Sequence, residues 1–362
     1  MASISDATTH DAVMHPPTAV DEGDQHFDSG LYKEAIAYWR NEYKNYRAEQ
    51  NLIGQIVMLY KIATAQRMMG LHDRAIRGLE VASKLATLTN DTDLSLMIRA
   101  NLGGAYLYTG QFELAKPLLL EALYTAQKSK NDRLVALLQN DLGNFYVFSG
   151  QTDKAFDAFY NSGNLAIKLA DGYLVVQALT NAVNLSSDEN LPEKALADLD
   201  QAISFIGRLD TSYEKAYGTE KVASAAYRLL EKHQPADVTP FYRVVSQLSE
   251  QAEYAAHLDN HWLAAKLLLT EANFYEYAEY YEDALTLAKK AIFHSQLISD
   301  NNLTYRLQWQ VARINKLLNK DDEAATFYRR AIETVQPVRH LLYQKPWYTK
   351  SYEAEQGNMY ME

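Results

Sequence analysis

Ala100-Asn101-Leu102-Gly103-Gly104-Ala105-Tyr106 is followed by Thr109-Gly110-Gln111, by Leu114-Ala115, and then by Leu119 and Ala122. Forty residues on, the same order returns as Asp141-Leu142-Gly143-Asn144-Phe145-Tyr146, Ser149-Gly150-Gln151, Ala155 and Phe159. Outward from this pair, Gly30, Gly70, Gly110 and Gly150 stand forty residues apart, and Ala35, Ala75, Ala115, Ala155 and Ala195 keep the same step. A fixed period of roughly 20–50 residues marks a repeat array, in which each unit buries its apolar face against its neighbours. Within each unit the apolar positions are spaced by three, four and seven, the helical period. No window alternates with period two, so no strand is expected.

Each column has a physical assignment. Gly103 and Gly143 are small where the first helix of a pair must approach the second, and Ala115 and Ala155 are small on the facing helix. Gly70, Gly110 and Gly150 are expected to end the first helix, where a left-handed backbone costs glycine nothing. Tyr106 and Tyr146 fill the wedge between successive pairs. Asn190 continues the glycine column as the next best residue for that conformation. Pro192 follows in a helix first turn, then Ala195, Leu199 and Ala202. Pro117 lies near the start of a second helix, where its missing N–H leaves at most one bond unmade and a mild kink is expected.

The frame then slips. Asn190 and Glu279 are 89 positions apart, two periods plus nine residues. The slip falls in the sixth pair, with its break at His233-Gln234-Pro235-Ala236-Asp237 and Thr239-Pro240 opening the second helix. Register returns with Glu279/Ala284/Ala288/Ala291 and again with Asn319/Ala324/Tyr328/Ala331. The expected fold is all-α: a right-handed α-solenoid of about eight helical hairpins, the first and sixth degenerate. Its layout is a disordered leader over 1–20, a regular array over 21–208, an irregular helical pair over 209–260, regular pairs over 261–343, and a tail or capping segment over 344–362. The tail carries Trp347, Tyr348, Tyr352 and Tyr360, and either covers the last repeat or has lost a partner.

Composition narrows the function. The formal net charge of −11 and the absence of any long Lys/Arg run exclude nucleic acid as the natural ligand. No cysteine is present, which removes disulfides, thiolate zinc sites and cysteine nucleophiles. The first twenty residues lack a basic start and an apolar core, and no apolar stretch approaches the ~20 residues of a membrane span. No membrane association is therefore expected, and a cytoplasmic location is. His257 and His261 are four apart, yet Leu258-Asp259-Asn260 between them reads as a helix end, so no metal site is expected. There is no glycine-rich phosphate loop, no Gly-x-Ser-x-Gly and no paired carboxylates spaced for acid–base work, so neither catalytic residues nor a cofactor are expected.

The motif Leu-Gly-x-x-Tyr, a second glycine seven residues after the first, alanine five later and an aromatic residue or leucine four beyond resembles the tetratricopeptide repeat (TPR). The TPR consensus is about 34 residues, so a forty-residue step implies helices about one turn longer. The resemblance implies that the first helix of each pair lines a concave face, into which two columns point. These hold Asn101, Asn144, Asn181, Asn184 and Asn273, with Asn140 one residue out of phase. Asparagine is a weak helix former, and its amide offers a donor and an acceptor to an extended peptide backbone. The same amides also serve neighbouring helix groups or water in other proteins. TPR arrays that grip extended peptides often carry asparagine here, and the bet is peptide contact. Tyr277 and Tyr280, in the aromatic run Phe274 to Tyr281, are candidates for exposed contact residues, while Tyr275 and Tyr281 sit in core columns.

One TPR subclass clamps a carboxylate between Lys and Arg side chains. Lys61 and Arg313 occupy the corresponding column, but nothing basic stands beside Asn101, Asn144 or Asn181, which argues against that mode. Finally, Leu307 to Arg313 with Phe327 to Gln336 is similar to the last repeat of bacterial proteins that carry a caspase-like CHAT peptidase. In those proteins a His/Cys dyad follows; this chain has no cysteine. The leading expectation is a non-enzymatic scaffold for a protein or peptide partner. The alternative is the regulatory arm of a CHAT-type protease or other effector, with the protease as partner.

Overall fold

A computed structural model describes residues 21–89, 91–298 and 300–336. The leader 1–20 and the tail 344–362 lie outside the described residues. Sixteen α-helices and no strand are present among the described residues. They are α1 (Glu22–Asp28), α2 (Tyr32–Ala48), α3 (Leu52–Met68), α4 (His72–Ala86), α5 (Thr92–Tyr108), α6 (Phe112–Lys128), α7 (Asp132–Phe148) and α8 (Thr152–Leu169). There follow α9 (Gly172–Asp188), α10 (Pro192–Ile206), α11 (Tyr213–His233), α12 (Thr239–His257), α13 (His261–Tyr277), α14 (Tyr281–Ile298), α15 (Asn301–Leu317) and α16 (Asp321–Val335). Taken two at a time they make eight helical pairs, the first degenerate because α1 has only seven residues. The chain forms two compact units: residues 21–149 with 161–175, and residues 150–160 with 176–336.

The forty-residue ruler is a ruler of helix ends. Gly30, Gly70, Gly110 and Gly150 have φ of 71, 70, 74 and 68°, and Asn190, Glu279 and Asn319 take the same place at 58, 64 and 57°. At Gly70 the amide donates to Arg67 O at 2.9 Å and the Leu71 amide to Gln66 O at 2.8 Å, the paired bonds of a Schellman stop. A second left-handed column, free of glycine, ends the second helices at Gln50, Lys130, Ala170 and Asp259. The residue after it is Asn51, Asn131, Asp171 or Asn260, whose side chain accepts from the amide of Gly54, Leu134, Leu174 or Leu263 and caps the next first helix.

The slip is a lengthening. α3, α5 and α7 span 17 residues each, whereas α11 spans 21 and α12 spans 19. Gln234, at φ 44°, stops α11 late, and the break falls at 234–238. α6 runs through Pro117 without interruption.

Packing follows the small-residue columns. A Cβ on Gly103 would lie 3.0 Å from both Cγ and Cδ2 of Leu119, so with a larger residue there Leu119 of α6 would have to give way. Ala35, Ala75, Ala115, Ala155 and Ala195 are fully buried. Tyr106 packs against the cores of two successive pairs and donates its hydroxyl to Glu80 Oε1 at 2.9 Å. Leu79, Leu119 and Leu138 are fully buried, each contributing about 1.5–3 kcal/mol by leaving water. No described helix is long and apolar enough to cross a membrane.

Candidate functional site

In the first unit the inner columns are tied together by a side chain that the columns do not include. Arg67, in the last turn of α3, crosses α5 to reach α7. Its Nη1 donates to Asn101 Oδ1 at 2.7 Å and its Nη2 to Asp141 Oδ2 at 3.2 Å. Gly104 leaves the passage: a Cβ there would stand 2.6 Å from Asp141 Oδ2 and 2.7 Å from Arg67 Cζ. The Asp141 side chain is 5% exposed and that of Arg67 14%. Burial raises the Asp141 carboxyl above its ordinary range, and the charge and hydrogen bond of Arg67 only partly oppose it.

Asn101 is buried, with its Nδ2 3.3 Å from Met97 O. The expectation that nothing basic stands beside it is corrected by Arg67. Columns count neighbours on one helix, and an arginine reaches across from the next. Asn140 is buried on α7. Asn144 is half-buried and donates from Nδ2 to Tyr108 Oη at 2.9 Å. The Tyr108 ring stacks on His72 with centroids 5.1 Å apart, and burial, then the Asp141 charge, pushes its hydroxyl well above the ordinary range. Tyr173, at the start of α9, donates to Met68 Sδ at 3.1 Å, and Arg133 Nε donates to Asp171 Oδ2 at 2.8 Å. Side chains of the first unit thus span from α3 to α7, and from Met68 of α3 to Tyr173.

The second unit presents a different surface. Asn181 and Asn184 are half-buried on α9, and the Asn184 amide has no hydrogen-bond partner among the described residues. On α11, Glu220 is 1% exposed, with Lys266 Nζ at 3.1 Å, Lys221 Nζ at 3.5 Å and the Ser224 hydroxyl at 2.9 Å. Burial pushes its carboxyl up, but the two lysines and Ser224 outweigh burial and hold it down at about 2. Asn273 Oδ1 accepts from Gln310 Nε2 at 2.7 Å, and Arg313 grips both oxygens of Glu276 at 2.5 and 2.8 Å. Tyr227 meets Phe274 edge to face at 5.4 Å, and burial with the charges of Glu231 and Glu276 pushes its hydroxyl up to about 12. Tyr277 and Tyr280 are exposed, while Tyr275 and Tyr281 pack against a core cluster.

Of the sequence candidates, Asn101, Asn140 and Asn144 fall in the first unit, and Asn181, Asn184, Asn273 and Tyr277 in the second. Arg67, Glu220 and Lys266 were outside the columns, whereas Asp141, forty residues after Asn101, and Gln310, three before Arg313, stand in them without having been singled out. Gly104 was the one sequence signal of the Arg67–Asp141 contact, since a second glycine inside a helix costs about 1 kcal/mol and calls for a reason. Both basic residues of the clamp column already hold carboxylates of the chain: Lys61 bonds both oxygens of Asp24 at 2.6 and 2.8 Å, as Arg313 does those of Glu276. α12 ends at His257 and α13 starts at His261, so the two histidines do not share a helix. His261 Nδ1 instead lies 3.1 Å from His294 Nδ1. Among the described residues no group of three or more His, Asp or Glu is arranged to hold a metal ion.

No protein-family model matches the chain, and no curated protein matches it. Its likeness is to solved structures. A Rap protein complexed with competence and sporulation factor superposes with a TM-score of 0.55 at 12% identity, covering 89% of both chains. The apo form of the quorum sensor NprR from B. thuringiensis gives 0.56 at 15% identity, covering 88% of this chain and 89% of that one. A signal transduction ATPase of the STAND class with a tetratricopeptide repeat sensor, from Pyrococcus horikoshii, gives 0.58 at 15% identity. This last match covers 90% of the chain but 48% of the ATPase. The fold is therefore an α-solenoid of TPR-like helical pairs.

Proposed function

We propose that the chain is a non-enzymatic, cytoplasmic adaptor that binds an extended peptide or partner segment on the faces of its first helices. The forty-residue step is a lengthened form of the TPR unit. Asn144 in the first unit and Asn184, Asn273 and Tyr277 in the second are the contact residues. Asn101 and Asn181 complete the columns, with Asn101 also holding Arg67, and Asn140 adds an amide one residue out of phase. The observation that carries this is the Asn184 amide, half-exposed in a helix interior and without a partner among the described residues. A polar group kept at that position gains most from a ligand that supplies both a donor and an acceptor. The binding of competence and sporulation factor by a Rap protein of this fold supports the same reading. The net charge of −11 favours a ligand with basic or neutral polar side chains. The test is selection of seven-residue peptides from a random library, followed by fluorescence anisotropy against Asn144→Ala and Asn184→Ala. Asn144→Ala should weaken about tenfold the binding of a peptide held by the first unit, and Asn184→Ala that of one held by the second, one lost hydrogen bond to a desolvated partner in each case. Unchanged affinity in both would refute the placement.

A second reading, the sensor arm of an effector complex with a CHAT-type protease as partner, is favoured by the likeness of 307–313 and 327–336 to such arms. The fold match to half of a larger signalling ATPase is consistent with it. A co-encoded CHAT peptidase whose activity is the same with and without the chain would count against it.

A further inference from the structure

We propose that Lys221 and Lys266 form a recognition point of the second unit for a carboxylate side chain, Asp or Glu, of the bound segment. This rests on the peptide-binding reading above and adds the ligand's chemistry to it. The ground is the charge balance around one buried group. Glu220 on α11 is buried, and two ammonium groups converge on it, Lys266 Nζ at 3.1 Å from Oε1 and Lys221 Nζ at 3.5 Å from Oε2. The Ser224 hydroxyl donates to Oε1 as well, at 2.9 Å. One lysine balances one carboxylate, so the triad carries a surplus positive charge. Among the described residues Glu220 is the one carboxylate within ion-pair distance of either lysine. The two lysine side chains are 37% and 27% exposed, so the surplus is open to a ligand.

The neighbours hold the two ammonium groups ready. Each lies over the ring four residues before it, Lys221 at 5.1 Å from the Tyr217 centroid and Lys266 at 6.0 Å from that of Trp262. A lysine already fixed loses less freedom when it grips a ligand. In the stretches 217–228 and 262–273 the other acid is Glu271, buried and bonded to Ser249 of α12. Arg306 stands forty residues after Lys266 and continues its column onto α15. Lys266, Asn273 and Tyr277 share one face of α13 by the helical period. Lys266 is two turns, about 10 Å, from Asn273 along the axis. A segment at Asn273 therefore reaches Lys266 within about three extended residues. Exposed charges more than about 8 Å apart are largely screened at physiological ionic strength. A carboxylate here thus responds to the triad rather than to the −11 of the whole chain, and the rest of the segment stays basic or neutral.

The test uses the full chain and those library-selected seven-residue peptides whose binding Asn184→Ala weakens. They should carry Asp or Glu, and each is remade with Asn or Gln in its place. Fluorescence anisotropy compares the parent with Lys221→Met and Lys221→Arg; both leave Lys266 paired with Glu220, so the buried charge keeps a cation. Replacing the acid by its amide should weaken binding to the parent about tenfold, and Lys221→Met should do the same to the acidic peptide. The two changes together should cost no more than either alone, with Lys221→Arg within about threefold of the parent. Asn184-dependent peptides without an acidic residue, or an acid-to-amide ratio unchanged by Lys221→Met, would overturn the proposal and leave peptide binding standing. Affinity lost on amidating the peptide C-terminus, and not on replacing the acidic side chain, would overturn it too. A library with no binder, or with binders indifferent to both Asn144→Ala and Asn184→Ala, would remove the peptide-binding reading and the proposal with it.

Discussion

Replacing Gly104 with alanine should destabilise the first unit, against the sign that helix propensity gives. Alanine is favoured over glycine inside a helix by about 1 kcal/mol. Here the new Cβ would stand 2.6 Å from Asp141 Oδ2 and 2.7 Å from Arg67 Cζ, so the guanidinium must shift, and the expectation is that it gives up Asp141. Asp141, with a side chain 5% exposed, would then have no cation. At 3.2 Å the attraction is about 5 kcal/mol for an effective dielectric of about 20. Removing one partner of such a buried pair costs about 3–5 kcal/mol. Gly104→Ala should therefore lose about 2–4 kcal/mol after the propensity gain, and Arg67→Met the full amount. Arg67→Met with Asp141→Leu should lose no more than about 1 kcal/mol, because no charge is left buried. The raised Asp141 carboxyl points the same way, since burial opposes its charge more than Arg67 supports it. Urea unfolding followed by circular dichroism measures the loss. Amide exchange over α3 to α7 locates it, which matters because repeat arrays need not unfold in one step. A Gly104→Ala protein as stable as the parent, or a double variant that loses the sum of its singles, would show that the glycine does not protect the Arg67–Asp141 pair.

Four further outcomes are expected. Glu220 is held at about 2 against an ordinary 4.5, so its stabilisation of about 3 kcal/mol is complete above pH 4.5 and is lost as pH falls toward 2. Asp141, Asp198 and Glu271 are raised by burial and slope the opposite way; the readout is therefore the difference between parent and Glu220→Gln unfolding curves, and identical curves from pH 7 to 3 would rule the term out. Gly150, at φ 68° with open space around its Cβ, should lose about 1–2 kcal/mol as Gly150→Ala and less than half of that as Gly150→Asn. Ala170, at φ 55°, should conversely gain about 0.5–1 kcal/mol as Ala170→Gly, and thermal midpoints that move the other way would contradict the left-handed column. Asn131→Ala removes the cap on the Leu134 amide and should cost about 1 kcal/mol, with faster exchange confined to the first turn of α7.

The array was legible in the sequence because its devices are local. A left-handed stop, a small residue at a close approach and a 3.6-residue apolar period each act within one helix or between adjacent ones. Gly30 to Asn190, the slip near 233–237 and the eight pairs could therefore be read directly, with His233 closing α11 and the break one residue later than expected. The left-handed column at Gln50, Lys130 and Ala170 was less visible, since it uses no glycine and shows itself only through the Asn or Asp cap that follows. The candidate site was legible only as columns. Asn144, Asn184 and Asn273 were picked out by phase alone, and which amides already have partners depends on side chains 34 to 37 residues away, such as Arg67 on Asn101 and Gln310 on Asn273.

By itself, then, the sequence determined helix type, helix ends and pair count, because each depends on backbone conformation and burial repeated at a fixed step. The tertiary structure alone decided that Arg67 passes over Gly104 to Asp141, that Tyr173 reaches Met68 from 105 residues away, and that Glu220 is ionised in the interior. Those contacts depend on how far each helix is turned toward the next, and a long charged side chain magnifies that small rotation into a choice of partner several helices away.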